Sequence, residues 1–374
     1  MMSTISQSNP KKYKSGVPEK MLAAVYYGQN DVRLENVAVP KIGPGELLVR
    51  IHTCGICGTD LKKISTGSHS TPRIFGHEMA GVVVARGAGV TEFYEGDRVM
   101  VFHHIPCGEC YYCRRKVFSQ CPLYKQVGTT AGYGEPSGGG FAEYVRVMDW
   151  IVRKGVIRIP DSVTFEQASH IEPVNTVWKG IQTIAPQPGE SVLVIGQGPI
   201  GILLAKLAQR AGADVITSDL FPQRLTIGRR YGLSQSIDSS REEIVAAIRE
   251  RTEGRGADAV ILAVGGTKLI RPAIDAARFG GRVLLFAQTV REEAMIDPAS
   301  VCVDEKTLLG SYSASVELNE EVAGFVFSGE MDLEGLYSHQ FSLEQSLDAL
   351  RLAAHPRPET MKIAIQPRDA WEGQ

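Results

Sequence analysis

The sequence predicts a mixed fold, α/β plus β-rich, in which a doubly wound parallel-sheet domain is inserted into a β-rich domain. Three observations predict it. From Met21 to about Val156, alternating stretches such as LLVRIHT (47–53) and GVVVARG (81–87) are separated by Gly and Pro signals, as in KIGPGE. That is the pattern of many short strands in a barrel or sandwich. From Ser191 apolar strands alternate with amphipathic helices: SVLVIG before PIGILLAKLAQRAG, VITSD before PQRLTIGRRYG, AVILAVG before a helix near 268–278, then RVLLFA. Alternation of this kind requires a parallel sheet covered on both faces. After about Leu309 it stops, and two helices and a terminal strand, MKIAIQP, are expected.

The stretch SVTFEQASHIEPVNTVWKGIQTI has helical spacing and leads through the turn PQPGE into the first parallel strand. The predicted division is therefore discontinuous. Residues 21–175 and 312–374 form the β-rich domain, residues 176–311 the inserted α/β domain, and residues 1–20 an extension without fixed structure. That extension, MMSTISQSNPKKYKSGVPEK, is polar and basic and lacks the apolar centre of a secretory signal.

Composition excludes several classes. In 374 residues, 43% hydrophobic and 22% charged, 40 basic against 42 acidic side chains leave a formal charge of −2. So even a balance gives no footprint for nucleic acid. No run of 18 apolar residues offers a membrane span. Four of the seven cysteines fall between Cys107 and Cys121, a spacing that suits a metal better than bridges and points to a reducing, cytoplasmic setting.

The segment GQGPIG lies between a strand and a helix, which turns an otherwise weak motif into a dinucleotide site. Gly196 makes the tight turn, Gly198 lets the backbone approach a pyrophosphate, and Gly201 allows helix and strand to pack closely. Pro199 and Ile200 open the helix whose N-terminal N–H groups face the phosphates, and Val264, ending AVILAV, is placed beside them. Asp219 closes the next strand, 18 residues beyond Gly201 (219 − 201). A carboxylate there accepts the ribose 2′-hydroxyl and repels a 2′-phosphate, which favours NAD over NADP. Arg224 lies against the adenine or in solvent.

Two groups of residues invite metal. CGECYYCRRKVFSQC places Cys107, Cys110, Cys113 and Cys121 in a C-x2-C-x2-C-x7-C array. Four thiolates close a structural zinc site with no open position. An iron–sulfur cluster is the rival occupant, since it also takes four cysteines. The second group is dispersed: Cys57 in CGICGTD, His77 and Glu78 in FGHEMAG, and Glu172 in HIEPVN. Sulfur, imidazole and carboxylate can assemble a zinc site with a free position, but spacing alone does not bring them together, nor does it decide between Cys54 and Cys57.

Taken together, the motifs resemble the zinc-containing medium-chain dehydrogenases, in the branch of sorbitol (L-iditol) and threonine dehydrogenases. The resemblance runs from Met21 onward through GICGTD, GHEMAG, GDRV (96–99), the four-cysteine loop, GGGFAEY (138–144), IEPVN, GQGPIG and GADAVILAVGG. It implies a GroES-like catalytic domain with an inserted Rossmann domain, and one catalytic and one structural zinc per chain. It implies that Cys57 and His77 bind the catalytic zinc while Cys54 does not. Glu78 matches a carboxylate that binds zinc directly in many members, and Glu172 one that either joins the metal or holds its water. Asp60 would orient a ligand, and Thr59 would take the hydroxyl proton, although a threonine beside Gly58 can simply hold a turn. Homodimers or homotetramers acting on a small-molecule alcohol or ketone are also implied.

Three departures bear on substrate. Gly58 follows Cys57 where ethanol-type enzymes often carry histidine, Lys62 stands where a histidine often ends the proton relay, and Ser313 replaces an arginine that animal sorbitol dehydrogenases use. The expected reaction moves a hydride between a small polar secondary alcohol, of polyol or cyclitol type, and NAD. Zinc can lower the pKa of bound water from about 15.7 to about 7, on the order of 12 kcal/mol. General base catalysis supplies roughly 3–5 kcal/mol, so the metal dominates. The closest rival is a threonine 3-dehydrogenase-like amino-alcohol dehydrogenase. A noncatalytic NADH-binding sensor is the rival of another class, disfavoured by the retention of Thr59 and every candidate ligand.

Overall fold

The computed structural model describes residues 16–103, 105–127, 139–288 and 291–367. Most of the expected extension (1–15), and Gly138 of GGGFAEY, lie outside the described residues. The first strand, Lys20–Gly28, begins one residue earlier than its apolar pattern.

Strands fall into three sheets. The largest runs Tyr337–Ser342, Lys362–Gln366, Leu47–Gly55, Glu78–Arg86, Arg98–Val101 and Val156–Arg158, with Tyr144–Val147 also paired to Leu47–Gly55. A small antiparallel sheet joins Asp31–Ala38, Lys20–Gly28 and Arg73–Ile74. The third is wholly parallel, in the order Ser236–Asp238, Asp214–Asp219, Ser191–Ile195, Ala257–Leu262, Ala277–Leu285 and Thr307–Gly310. Its central strands are apolar on both faces, as Val192, Leu193, Val260 and Ile261 are fully buried. Residues after Ser311 return to the first sheet, where Ile365 lies opposite Cys54.

Several local expectations change. The stretch read as helical spacing from Ser162 is two helices, Phe165–Ser169 and Ile171–Ile184, breaking at His170; Pro173 sits in the first turn of the second, where no N–H is needed. The helix expected over 268–278 is a short 3₁₀ turn followed by Ile270–Ala276. The next strand starts at Ala277 rather than Arg282, because Ala277 already pairs with Ala257 before a bulge carries Phe279 into solvent. The β-rich part contains the unpredicted helices Gly58–Thr66 and Asp149–Gly155. YSHQFS forms the strand Tyr337–Ser342, too polar to read as one, on the sheet edge beside Lys362–Gln366. Among the described residues no helix is long and apolar enough to cross a membrane.

Candidate active site and metal centres

Cys57 stands where the strand Leu47–Gly55 hands over to the helix Gly58–Thr66. It is the helix N-cap, in extended conformation, and its thiol accepts a hydrogen bond from the Thr59 N–H at 3.4 Å. Asp60 accepts in turn from the Cys57 N–H at 3.2 Å, so Cys-Gly-Thr-Asp closes as a capping box. The other Asp60 oxygen lies 3.1 Å from His77 Nδ1, and both side chains are buried. Glu78 begins the adjacent antiparallel strand, in a register that places it opposite Gly55. One turn and one strand pairing therefore bring Cys57, His77 and Glu78 together, with ligand atoms all within 4.8 Å of one another. Ligands at zinc bond lengths around a tetrahedral ion are roughly 3.3–3.8 Å apart, so the set fits a metal.

The charges are arranged in pairs around this point. Burial disfavours ionised Asp60, but His77, Lys63 and the Cys57 N–H outweigh it and lower its pKa. Burial likewise opposes the His77 cation, and Asp60 and Cys57 reverse the balance and raise its pKa well above 6.5. Glu78 is engaged twice, facing the metal-sized set and holding Lys362 at 2.5 Å. Lys362 also donates to the Ile56 carbonyl at 3.1 Å. Sequence reasoning passed over Lys362; the signal available was a lysine opening an otherwise apolar strand.

Glu172 is buried beside this set without belonging to it. Burial lifts its pKa to about 7, with Glu78 pushing the same way and His77 opposing. Asn175, one turn along the same helix, clamps the 312–315 segment: its amide donates to the Ser315 carbonyl at 3.0 Å and accepts from the Ser315 N–H at 2.8 Å. Lys179, a further turn along, donates to the Tyr312 carbonyl at 2.8 Å. The IEPVN motif thus positions a carboxylate and fastens Tyr312, which feels the charges of His77, Cys57 and Glu172. Ser313, expected in place of an arginine, hydrogen-bonds Tyr124. Thr59 is half-buried, and its hydroxyl has no hydrogen bond among the described residues. Cys54 is fully buried in the core and joins neither metal-sized group, which separates it from Cys57.

The four-cysteine loop closes on itself. Cys107 lies 3.8 Å from Cys113 and 3.6 Å from Cys121, and Cys110 lies 3.5 Å from Cys113, sulfur to sulfur. A tetrahedron of Zn–S bonds near 2.3 Å has an edge of about 3.8 Å, whereas a disulfide is near 2.05 Å. These spacings fit one ion; a multi-iron cluster would spread the thiolates further. Phe118 and Tyr124 form a small apolar cluster with Cys113 and Cys121.

At the glycine motif, Gly196 has φ +99°, and a Cβ there would come within 2.2 Å of Val264. A Cβ at Gly201 would meet the Gly196 carbonyl at 1.8 Å, while Gly198 is open, with its nearest neighbour, Arg224, 4.0 Å away. These are the requirements of turn, close packing and ligand approach. Pro199 and Ile200 are the first two residues of the helix Pro199–Arg210. Asp219 accepts from the Gln197 N–H at 2.8 Å and the Phe221 N–H at 2.9 Å. Arg224 lies 3.7 Å from Asp219, over the Phe221 ring, and donates to the Pro358 carbonyl at 3.3 Å. Its side chain is only 15% exposed, so it is not free in solvent.

Comparison with known proteins follows the same lines. A family profile described as "Alcohol dehydrogenase GroES-like domain" matches residues 43–161, and one described as "Zinc-binding dehydrogenase" matches residues 199–328. The sorbitol dehydrogenase of Bacillus subtilis (strain 168) is 29% identical, over 94% of this chain and 98% of its own. The L-threonine 3-dehydrogenase of Pyrococcus abyssi (strain GE5 / Orsay) is 32% identical, over 86% of this chain and 92% of its own. A protein of Sinorhizobium meliloti 1021 described as a "putative zinc-binding dehydrogenase", solved bound to NADP, superposes with a TM-score of 0.84 at 28% identity, covering 94% of this chain and all (100%) of that one. The chain belongs to the zinc-containing medium-chain dehydrogenases, in the branch of the sorbitol and threonine dehydrogenases, and is an NAD-dependent alcohol dehydrogenase.

Proposed function

We propose that this dehydrogenase oxidises a small polar secondary alcohol, of polyol or cyclitol type, to its ketone, with NAD as hydride acceptor. The observation that carries the proposal is the convergence of Cys57, His77 and Glu78 within 4.8 Å, with the Thr59 N–H on the Cys57 thiol. Zinc bound there would supply Lewis-acid polarisation of the alcohol oxygen, and NAD on the 196–201 turn would supply the hydride acceptor. Cys57 and His77 would hold the ion, with Asp60 fixing the His77 ring. Lys362 balances Glu78, so that the carboxylate adds less net negative charge to the ion. Thr59 would accept the hydroxyl proton while passing its own outward to solvent, and Glu172, lifted by burial to about 7, can hold a proton or a water at the same site. Asp219 favours NAD by repelling a 2′-phosphate.

The catalytic part would comprise 21–175 and 312–374, with the NAD part, 176–311, between them. The cysteine loop would hold a structural zinc, consistent with a cytoplasmic setting. The edge strand Thr307–Gly310 is where a homodimer or homotetramer would form. The test is a panel of polyols, inositols, sugars and L-threonine with NAD, read as NADH formation. Turnover on a polyol or inositol supports the proposal. Turnover confined to threonine replaces it with an amino-alcohol dehydrogenase.

A further inference from the structure

Lys63 is a cation that the zinc and hydride chemistry does not use. It lies on the helix Gly58–Thr66, four residues after Thr59, so the two share a face one turn apart. Only 7% of the residue is exposed, and its ammonium has no hydrogen-bond partner among the described residues. Nearby acids offset its charge in part, Asp60 most, but none accepts a hydrogen bond from it. Asp60 is committed to His77 and to the Cys57 N–H. Glu172 exerts only a weaker pull, behind Asp60 and Cys57. Burying an ammonium whose hydrogens have no acceptor is costly, and the cost falls when an anion accepts from it.

The surroundings are cationic as well. Besides burial, Lys63, Arg73 and Lys62 together hold the pKa of His69 down to about 4, which marks a local positive field. Burial pulls Lys63 itself down to about 8, so at neutral pH the ammonium form still prevails.

From this geometry we infer that Lys63 is a specificity-determining residue that binds an anionic group, carboxylate or phosphate, on the substrate. One helical turn rises about 5.4 Å, so an anion on Lys63 would lie a few carbons from a carbinol at Thr59. The inference rests on the proposed alcohol oxidation and narrows its substrate to charged polyol derivatives.

The experiment compares matched pairs on the zinc-loaded enzyme with NAD: D-gluconate against D-sorbitol, and ribitol 5-phosphate against ribitol. The wild-type protein is expected to show kcat/KM at least tenfold higher for one charged member than for its neutral counterpart. The gluconate and phosphate arms identify which anion is recognised. Lys63→Met is expected to lower that value about 100-fold, mainly through KM, and to cost the neutral substrate at least tenfold less than the charged one; Lys63→Arg restores part of it. A second readout needs no turnover: inorganic phosphate titrated into the NADH-loaded protein, followed by NADH fluorescence, should bind the wild type at least tenfold tighter than Lys63→Met. Equal phosphate binding, equal losses on charged and neutral substrates, or a wild-type preference for the neutral polyols would each overturn the inference. Discrimination of phosphate without oxidation of any alcohol would leave the Lys63 site standing and remove the proposed function instead.

Discussion

The two metal-sized groups in this chain are built by opposite means. Cys107, Cys110, Cys113 and Cys121 come from one stretch of fifteen residues and close through local turns, with two of the four half-exposed. Cys57, His77, Glu78 and the neighbouring Glu172 span more than a hundred positions and meet only because a capping box, a strand register and a long helix converge. The loop is a closed set of like ligands with matching spacings, suited to fixing a lobe. The dispersed set is mixed and held by charges that do not themselves bind metal: Asp60 behind His77, Lys362 behind Glu78. A local motif can be removed with its lobe; a dispersed one fails through its supports.

The largest separation between them should come from Cys57→Ser. Turnover is expected to fall by at least 10³-fold while NADH binding, measured by fluorescence titration, stays within about twofold, because the glycine motif lies in another sheet. Zinc content should drop from about two to about one per chain. Undiminished turnover by zinc-depleted Cys57→Ser protein would break the distinction. Cys113→Ser should act the other way round, on stability first. Its thiol is buried and lies within 3.8 Å of both Cys107 and Cys110, so its loss opens the tetrathiolate. A fall of several degrees in Tm is expected, with kcat per folded molecule lowered less than tenfold in assays well below the transition. An unchanged Tm would show that the loop needs no metal.

The same contrast explains what the sequence made legible. The cysteine spacing, the glycine motif and Asp219 are local patterns, and their geometry follows from a few φ values and one helix start. The dispersed ligands were legible only through a resemblance, because no spacing rule links Cys57 to His77. Cys54 and Cys57 look equivalent in CGICGTD, and the structure separates them by burial: one ends a core strand, the other caps a helix. Lys362 and Lys63 escaped notice because a buried lysine is recognised by what surrounds it, and their partners lie in distant segments or are absent. The strand Tyr337–Ser342 escaped for a related reason: at a sheet edge its side chains can stay polar, so no apolar alternation marks it.

The finest test of the contrast is Asp60→Asn, which changes one charge and no ligand. The replacement amide keeps an oxygen for the Cys57 N–H, so the capping box and the helix should survive, while its NH2 faces the His77 Nδ1–H, donor against donor. What disappears is the buried negative charge that orients the imidazole and makes it a better donor to a metal. Zinc affinity at the dispersed site is expected to weaken by roughly 10–100-fold, read as the chelator concentration that halves activity. The second zinc should resist the same chelator as it does in the wild-type protein, because Asp60 touches none of the four cysteines. Equal sensitivity of both zincs in Asp60→Asn would mean that the two centres are coupled through the fold. Tyr124 would be the first connection to probe, since it packs in the cysteine lobe while its hydroxyl bonds Ser313 and feels the charge of Glu172.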